Sequence, residues 1–206
     1  MQKPTEIFGK WAEEGKDVGM EKGHATSVKD MLNFALQERA NIGKNFSFLD
    51  LGCGNGWVAR NVSKNSLCAK AVGIDGAEQM IINAKKTGGQ VDYILADINS
   101  YTSPMRFDLV HSMEVLYYLD DPASKVKSLS DHWLEEQGRL IIGIDHYYEN
   151  LDSHSWEEKV GTPMLMLKEA EWLNIFNESG LGDIKSWRSN QSKDWGGTLI
   201  LTGIKN

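Results

Sequence analysis

Three glycines alternate with other residues in the stretch FLDLGCGNGW, residues 48–57. They follow an apolar run that is typical of a buried strand, and a helix is expected to begin near Trp57. Such a strand–loop–helix unit presents backbone N–H groups at a helix N-terminus, where a ligand can contact the main chain. Asp50 lies in the same stretch and could bind a ligand or the amides of the loop. The pattern predicts a ligand site, with a tight turn alone as the alternative.

The elements that must position this loop follow an alternating pattern. From residue 46 onward, short β-rich runs alternate with helix-length segments, and the runs cover 46–51, 69–75, 91–96, 107–113 and 139–145. These runs hold continuous apolar stretches, as expected for parallel strands that helices cover on both faces. The sequence therefore predicts a doubly wound α/β sheet, whose ligands bind at the carboxyl ends of the strands.

The segments around this core also carry recognisable ends. A helix is predicted over 121–136, because Asp121 can cap it, Pro122 suits its first turn and Gly138 follows it. The chain closes with a helix near 168–179 and two strands that suggest an antiparallel edge. Before residue 46, an amphipathic covering helix is predicted to begin at Ser27, and the stretch GMEKGH before it could fold over the site as a lid.

Composition and charge narrow the classes of partner. The 206 residues fit one domain, and 22 basic against 29 acidic residues give a net charge of −7, which opposes binding to nucleic acid. Cys53 and Cys68 are expected to be plain thiols, and no metal site is predicted. The start lacks a secretory signal and no apolar run could cross a bilayer, so we expect a cytoplasmic protein without a membrane anchor. A monomer and a homodimer both remain open.

The dinucleotide fingerprint G-x-G-x-x-G/A is the obvious competitor for the glycine stretch. Aligning it on Gly52 and Gly54 places Trp57 where a small residue must allow close helix packing. An NAD-dependent oxidoreductase is therefore a weaker hypothesis.

The segment LDLGCGNG instead resembles motif I of class I methyltransferases that depend on S-adenosylmethionine (SAM), in particular the small-molecule, type 11/25-like group. The resemblance covers residues 46–145 and the two terminal strands. It implies a three-layer Rossmann-like sandwich with a seven-stranded, mostly parallel sheet of order 3-2-1-4-5-7-6, in which strand 7 is antiparallel. It also divides the chain into an N-terminal helical cap (1–45), a cofactor-binding core (46–145) and a substrate-side insert with the closing elements (146–206).

The same resemblance implies SAM as cofactor, S-adenosylhomocysteine (SAH) as product, and a role for several residues. Asp75, in VGID, would bind the ribose hydroxyls, and Asp97, in ILADI, would bind the adenine amino group. Met80 would pack on the adenine. The full set of expected cofactor-binding residues is Asp50, Gly52, Cys53, Gly54, Asp75, Gly76, Met80, Asp97, Ile98, Ser112 and Met113.

Methyl transfer needs no covalent enzyme residue, and a general base matters only if the acceptor arrives protonated. The catalytic candidates are His146, Tyr117, Glu114 and His24. Either histidine could be the base, and either could instead be a hydrogen-bonded structural residue. Some of the aromatic residues could form a cage for a cationic amine, the alternative being core packing; they are Tyr117, Tyr118, Tyr147, Tyr148 and Trp156.

The leading hypothesis is an enzyme that transfers methyl groups to N, O or carboxylate atoms of small molecules. The absence of a D/N-P-P-Y motif disfavours nucleic-acid substrates. A second hypothesis from another class is a cofactor-binding module that no longer methylates and acts through a partner protein.

Overall fold

The computed structural model describes all 206 residues as seven strands and seven α-helices. The strands are β1 (Phe46–Leu51), β2 (Cys68–Asp75), β3 (Asp92–Leu95), β4 (Phe107–Met113), β5 (Leu134–Ile144), β6 (Leu181–Ser189) and β7 (Thr198–Lys205). The helices are α1 (Pro4–Glu13), α2 (Asp17–Ile42), α3 (Trp57–Val62), α4 (Glu78–Thr87), α5 (Pro122–Ser128), α6 (Trp156–Val160) and α7 (Glu169–Glu178). None of the helices is both long and apolar enough to span a membrane.

The strands form one sheet of order β3-β2-β1-β4-β5-β7-β6. Strands β1 to β5 are parallel, whereas β7 runs antiparallel to both β5 and β6. The predicted fold class is therefore confirmed, including the antiparallel seventh strand. Because the parallel strands point the same way, the residues that follow β1 to β5 all meet at one edge of the sheet.

Apolar side chains cover both faces of this sheet. On one face, Val126 of α5 and Trp172 and Phe176 of α7 pack in a large cluster with β4 and β5. On the other face, Met31 of α2 and Val58 of α3 pack on β1 and β4. Each fully buried side chain of this size contributes about 1.5 to 3 kcal/mol through its removal from water. Burial on both faces explains the continuous apolar runs in the sequence.

A buried arginine fastens α2 to the sheet at the end remote from the glycine loop. Arg139 of β5 is 1% exposed and donates two hydrogen bonds to Glu38, Nε to Oε2 at 2.7 Å and Nη2 to Oε1 at 2.6 Å. Its Nη1 donates to Thr202 of β7 at 2.8 Å. Such a bidentate ion pair fixes orientation as well as distance, so α2 is anchored on β5 and β7.

The covering helix begins ten residues earlier than predicted. Helix α2 starts at Asp17, so Ser27 lies within it and does not open it. The hydroxyl of Ser27 instead shares a 2.6 Å hydrogen bond with that of Thr198 in β7. Gly19 and Gly23 made the preceding stretch look like a connection, but both tolerate the helix, and nothing lies within 4 Å of an added Cβ at either one.

The helix predicted over 121–136 is also wrong in its second half. Asp121 does cap α5, and its carboxylate accepts hydrogen bonds from the N–H of Ser124 at 2.9 Å and its hydroxyl at 2.7 Å. After Ser128 the chain makes a π-helical turn over Leu129–Trp133, which buries Trp133 in the core. Strand β5 then begins at Leu134, because this residue already pairs with β4.

Candidate active site

A cavity of about 820 Å³ lies at the carboxyl ends of β1 to β4, where the sequence places the ligand site. Its floor is the glycine loop after β1. Its roof comes from the N-terminal helices, with Phe8 of α1 and Met20 and His24 of α2 on the wall. Phe8 packs edge-on against Tyr118, with ring centroids 5.2 Å apart, so the roof is joined to the segment after β4.

The three glycines of the loop serve different purposes. Gly52 has φ +74°, and a Cβ there would lie 2.1 Å from Cγ2 of Val115. A Cβ on Gly56 would lie 2.4 Å from the ring of Tyr93. At Gly54 a Cβ would meet only the sulfur of Met80, at 3.9 Å, and would otherwise point into the cavity. Packing therefore requires the outer two glycines, whereas Gly54 leaves room for a ligand.

Asp75 ends β2 beside the loop, as predicted. Its Oδ2 accepts a hydrogen bond from the N–H of Gly54, and its Oδ1 accepts one from the N–H of Ala77, both at 2.8 Å. Burial raises the pKa of this carboxyl, and the charge of Asp50 adds to the effect. Each oxygen keeps a lone pair, so the held carboxylate can still accept hydrogen bonds from a diol.

Asp97 follows β3 and also lines the cavity. It is exposed, and it caps the next turn: its Oδ1 accepts from the N–H of Asn99 at 3.0 Å and its Oδ2 from the hydroxyl of Ser100 at 3.2 Å. Capping and ligand binding are compatible here, because a carboxylate has about four acceptor positions.

Most of the remaining expected cofactor residues lie on the wall of the cavity: Asp50, Gly52, Cys53, Gly76, Met80, Ile98 and Met113. Ser112 does not. It is buried, and its hydroxyl donates to the carbonyl of Leu51 at 2.9 Å, so it joins β4 to β1. Burial, followed by the charges of Asp75 and Asp50, raises the pKa of the Cys53 thiol well above its usual value, so this thiol is a poor nucleophile.

Glu114 lines the cavity directly after β4 and has φ 59°, an uncommon backbone conformation for a residue with a side chain. Its Oε2 accepts a hydrogen bond from the Tyr117 hydroxyl at 2.6 Å, and its Oε1 accepts from the N–H of Asp145. Burial raises the pKa of Glu114 well above its usual value, and the nearby charge of Asp145 raises it further. Tyr117 lies outside the wall and contacts two residues of it, Glu114 and Tyr118.

His24 lies on the wall near these carboxyls. Its Nδ1 is 3.8 Å from Oδ2 of Asp145, too long for a hydrogen bond. Burial lowers the pKa of His24, so its imidazole is neutral at pH 7. Burial raises the pKa of Asp145 to about 6. A neutral imidazole beside the Asp145 carboxyl can accept a proton from a bound molecule.

His146 is not brought to the cavity. It is 1% exposed, its Nδ1 pairs with the carbonyl of Ser153 at 3.1 Å, and its ring lies between those of Tyr117 and Trp156.

The aromatic cage that the sequence suggested for a cationic amine does not form at the cavity. Tyr147 is buried with its hydroxyl on two backbone carbonyls, and Tyr118 is the one tyrosine of the set on the wall.

The structure also reveals a pair that the sequence analysis missed. His111 of β4 and Asp50 of β1 are partners in the parallel register, and Nδ1 of the histidine lies 2.8 Å from Oδ1 of the aspartate. Both are almost fully buried, and both line the cavity. In the sequence, His111 is one of three polar residues in the run FDLVHSM, and only the strand pairing shows that it faces a carboxylate.

Solved methyltransferase structures share this fold, in which the cavity lies over the glycine loop and acidic residues follow β2 and β3. Residues 49–142 match the family model described as a methyltransferase domain. The resemblance inferred from the sequence is thus confirmed.

The chain is also similar in sequence to individual methyltransferases. The chain is 36% identical to the ubiquinone biosynthesis O-methyltransferase of Pseudoalteromonas translucida over 89 residues, which make up 40% of this chain and 37% of that protein. The chain spans less than half the length of the curated relatives it matches.

Two solved structures share the fold. One is a chain from the complex between a Haloferax volcanii methyltransferase activator and its candidate methyltransferase, with a TM-score of 0.81, 24% identity, and coverage of 100% of this chain and 99% of that one. The other is magnesium protoporphyrin IX methyltransferase from Synechocystis PCC 6803 with bound SAH, with a TM-score of 0.70, 18% identity, and coverage of 89% and 84%.

Proposed function

We propose that this chain is a SAM-dependent methyltransferase that acts on a small molecule. The observation that carries the proposal is the order of groups across the sheet edge: Asp97 after β3, Asp75 at the end of β2, and open backbone at Gly54 after β1. The adenine amino group and the ribose hydroxyls can donate to the two carboxylates in this order, and the amino-acid end of the cofactor has room over Gly54. The residues present therefore fit SAM.

When bound, SAM supplies a methyl group on a positively charged sulfur, whose in-line transfer to a nucleophile needs no covalent enzyme intermediate. The task of the protein is to hold the acceptor in line and to remove its proton. Precise positioning of this kind can contribute about 7 to 11 kcal/mol to catalysis. In our proposal Glu114, held by Tyr117 and the backbone of Asp145, binds the acceptor, and the neutral His24 imidazole accepts its proton.

The charge of the wall favours certain acceptors. Acidic side chains line it from several elements, including Asp17, Glu21 and Asp120, and Lys3 is its one lysine or arginine. Such a wall repels anionic molecules and attracts cationic ones. An amine or a hydroxyl acceptor is therefore favoured over a carboxylate.

Calorimetry with SAH and with NAD tests the cofactor. We expect SAH to bind at micromolar strength and NAD not to bind. Asp75→Asn should weaken SAH binding roughly 10- to 100-fold, because it removes a charged acceptor from the ribose site. Asp194→Asn, at an exposed position away from the cavity, is the matched control and should bind normally. Tight binding of NAD, or equal SAH affinity in both variants, would contradict the proposal.

A transfer assay with methyl-labelled SAM over amines, phenols, carboxylates and thiols tests the acceptor. We expect label on amines or hydroxyl compounds and little on carboxylates. The solved complex with an activator favours a second candidate, an enzyme that needs a partner protein. SAH binding without transfer to any acceptor would support that candidate, and transfer by the isolated chain would exclude it.

A further inference from the structure

The Asp50–His111 pair plays no part in the mechanism above, yet it has the burial and the unpartnered polar atoms that are typical of a ligand site. His111 is 0% exposed and Asp50 is 2% exposed, and both residues belong to the cavity wall. After their mutual hydrogen bond, each keeps one polar atom without a partner: Nε2 of His111 and Oδ2 of Asp50. A buried polar atom without a partner costs free energy. Because both residues line the cavity, a ligand group bound there could satisfy the two orphaned atoms.

The chemistry of the pair defines that group. A carboxylate can only accept hydrogen bonds, so the Nδ1 of His111 carries the proton that it donates to Asp50. The Nε2 of the neutral ring then presents a lone pair. When the ring is neutral, both orphaned atoms are acceptors, and one of them belongs to a carboxylate. They suit a ligand group with several N–H donors and a positive charge, such as a primary ammonium.

The position of the pair identifies which ammonium is meant. The order of the strands across the sheet is β3, β2, β1, β4. Asp75, Asp50 and His111 belong to β2, β1 and β4, and Asp97 lies two residues after the end of β3. Neighbouring strands are about 4.8 Å apart. If adenine and ribose lie over β3 and β2, as in the proposed function on which this step rests, the amino-acid end of the cofactor lies over β1 and β4.

We propose that His111 binds the α-ammonium group of the cofactor, with Nε2 accepting one of its N–H bonds while Asp50 faces its charge. Asp50 is also a positioning residue, because its Oδ1 fixes the tautomer and the orientation of the imidazole. The neutral, acceptor form of His111 is the one that an ammonium requires.

Two nucleosides separate this role from others. SAH and 5′-methylthioadenosine share the adenosine and the thioether, but only SAH carries the amino acid. His111→Asn is the key variant, because its side-chain amide can still donate to Asp50 but leaves no atom at the position of Nε2. We expect calorimetry to show a roughly 10- to 100-fold loss of SAH affinity in this variant, with methylthioadenosine affinity unchanged within about threefold.

Other patterns of affinity loss in His111→Asn would point to other roles for His111. An equal loss for both nucleosides would mean that His111 only supports the fold, and no loss for either would mean that it does not touch the cofactor. Either result overturns the inference. If wild-type protein binds neither nucleoside, the proposed function itself fails.

A second measurement needs no variant. In wild-type protein labelled with ¹⁵N-histidine, accepting a hydrogen bond should shift the Nε2 resonance of His111 on addition of SAH but not of methylthioadenosine. The same shift with both nucleosides, or with neither, would overturn the inference even if His111→Asn does not fold.

Discussion

Substitution of the first loop glycine tests whether packing, rather than a ligand, requires it. In Gly52→Ala the new Cβ would lie 2.1 Å from Val115 and would sit at φ +74°. A left-handed conformation costs a residue with a side chain roughly 1 to 2 kcal/mol, and overpacking costs roughly 1 to 3 more. Loss of chain entropy in the unfolded state offsets about 0.4 to 1 kcal/mol. We therefore expect a net loss of about 2 to 4 kcal/mol.

Gly54→Ala is the matched comparison. It also has a positive φ, +52°, but its Cβ would meet only Met80, at 3.9 Å. The conformational cost is then partly cancelled by the unfolded-state term, leaving a net loss of about 1 kcal/mol. Its new methyl group would occupy the cavity, so SAH affinity should fall roughly tenfold or more.

Thermal unfolding without ligand and SAH calorimetry separate the two variants. At this chain length 1 kcal/mol corresponds to about 2 to 4 °C, so Gly52→Ala should lower Tm by roughly 5 to 15 °C and Gly54→Ala by a few degrees. The double variant Gly52→Ala/Val115→Ala should be more stable than additivity predicts, by at least about 1 kcal/mol, since the clash has been removed. If the two substitutions are additive within about 0.5 kcal/mol, contact with Val115 is not the reason for the glycine.

Three more predictions concern the cavity wall and the Asp145 carboxyl, which lies beside His24 of that wall. Because burial raises the pKa of Asp145 to about 6 from 3.8, the folded protein binds this proton more tightly than the unfolded chain, and stability falls as pH rises between these values. Asp145→Asn should therefore raise the free energy of unfolding at pH 7.5 by up to about 3 kcal/mol but not at pH 4; an equal effect at both would contradict this. Phe8→Ala should speed SAH release roughly tenfold in stopped flow by loosening the contact with Tyr118, and an unchanged rate would show that α1 does not hold the ligand. Because burial lowers the pKa of His24 from 6.5, the rate of methyl transfer should fall only when the pH drops below that value. His24→Gln should remove this pH dependence, and an unaltered profile in that variant would exclude His24 as the base.

The sheet was predictable because its information is local. Apolar runs give β1 and β4 their observed bounds, and the resemblance around the glycine loop supplies the order of the strands. The covering helix was not predicted in full, because two glycines in GMEKGH have the composition of a connection, although their Cβ positions are open in the helix. The π-helical turn at Leu129–Trp133 was not predicted, because side-chain spacing alone does not reveal a change of helical hydrogen bonding.

The site was predictable where a residue type follows a strand end. Asp75, Asp97 and Glu114 are of this kind, and all three line the cavity. His146 also follows a strand end, yet the chain turns it inward, where Ser153 binds it. The role of His111 could not be predicted from its neighbours in sequence, because it depends on the register of two strands that are 61 positions apart. Burial and pairing across the sheet are tertiary properties, and no local pattern carries them.

The anchoring of α2 gives this helix an uneven mechanical character. From Ser27 onward, α2 is joined to the sheet by the hydrogen bonds of Ser27 and Glu38. Its first ten residues are held by one hydrogen bond from Asn55 to Asp17, at 3.2 Å, and by packing of Met20. The helix is thus firmly attached to the sheet along its C-terminal part and only weakly attached at its N-terminal end. We therefore expect that any opening of the cavity at α2 would involve these first residues and would leave the rest of the helix and the sheet folded.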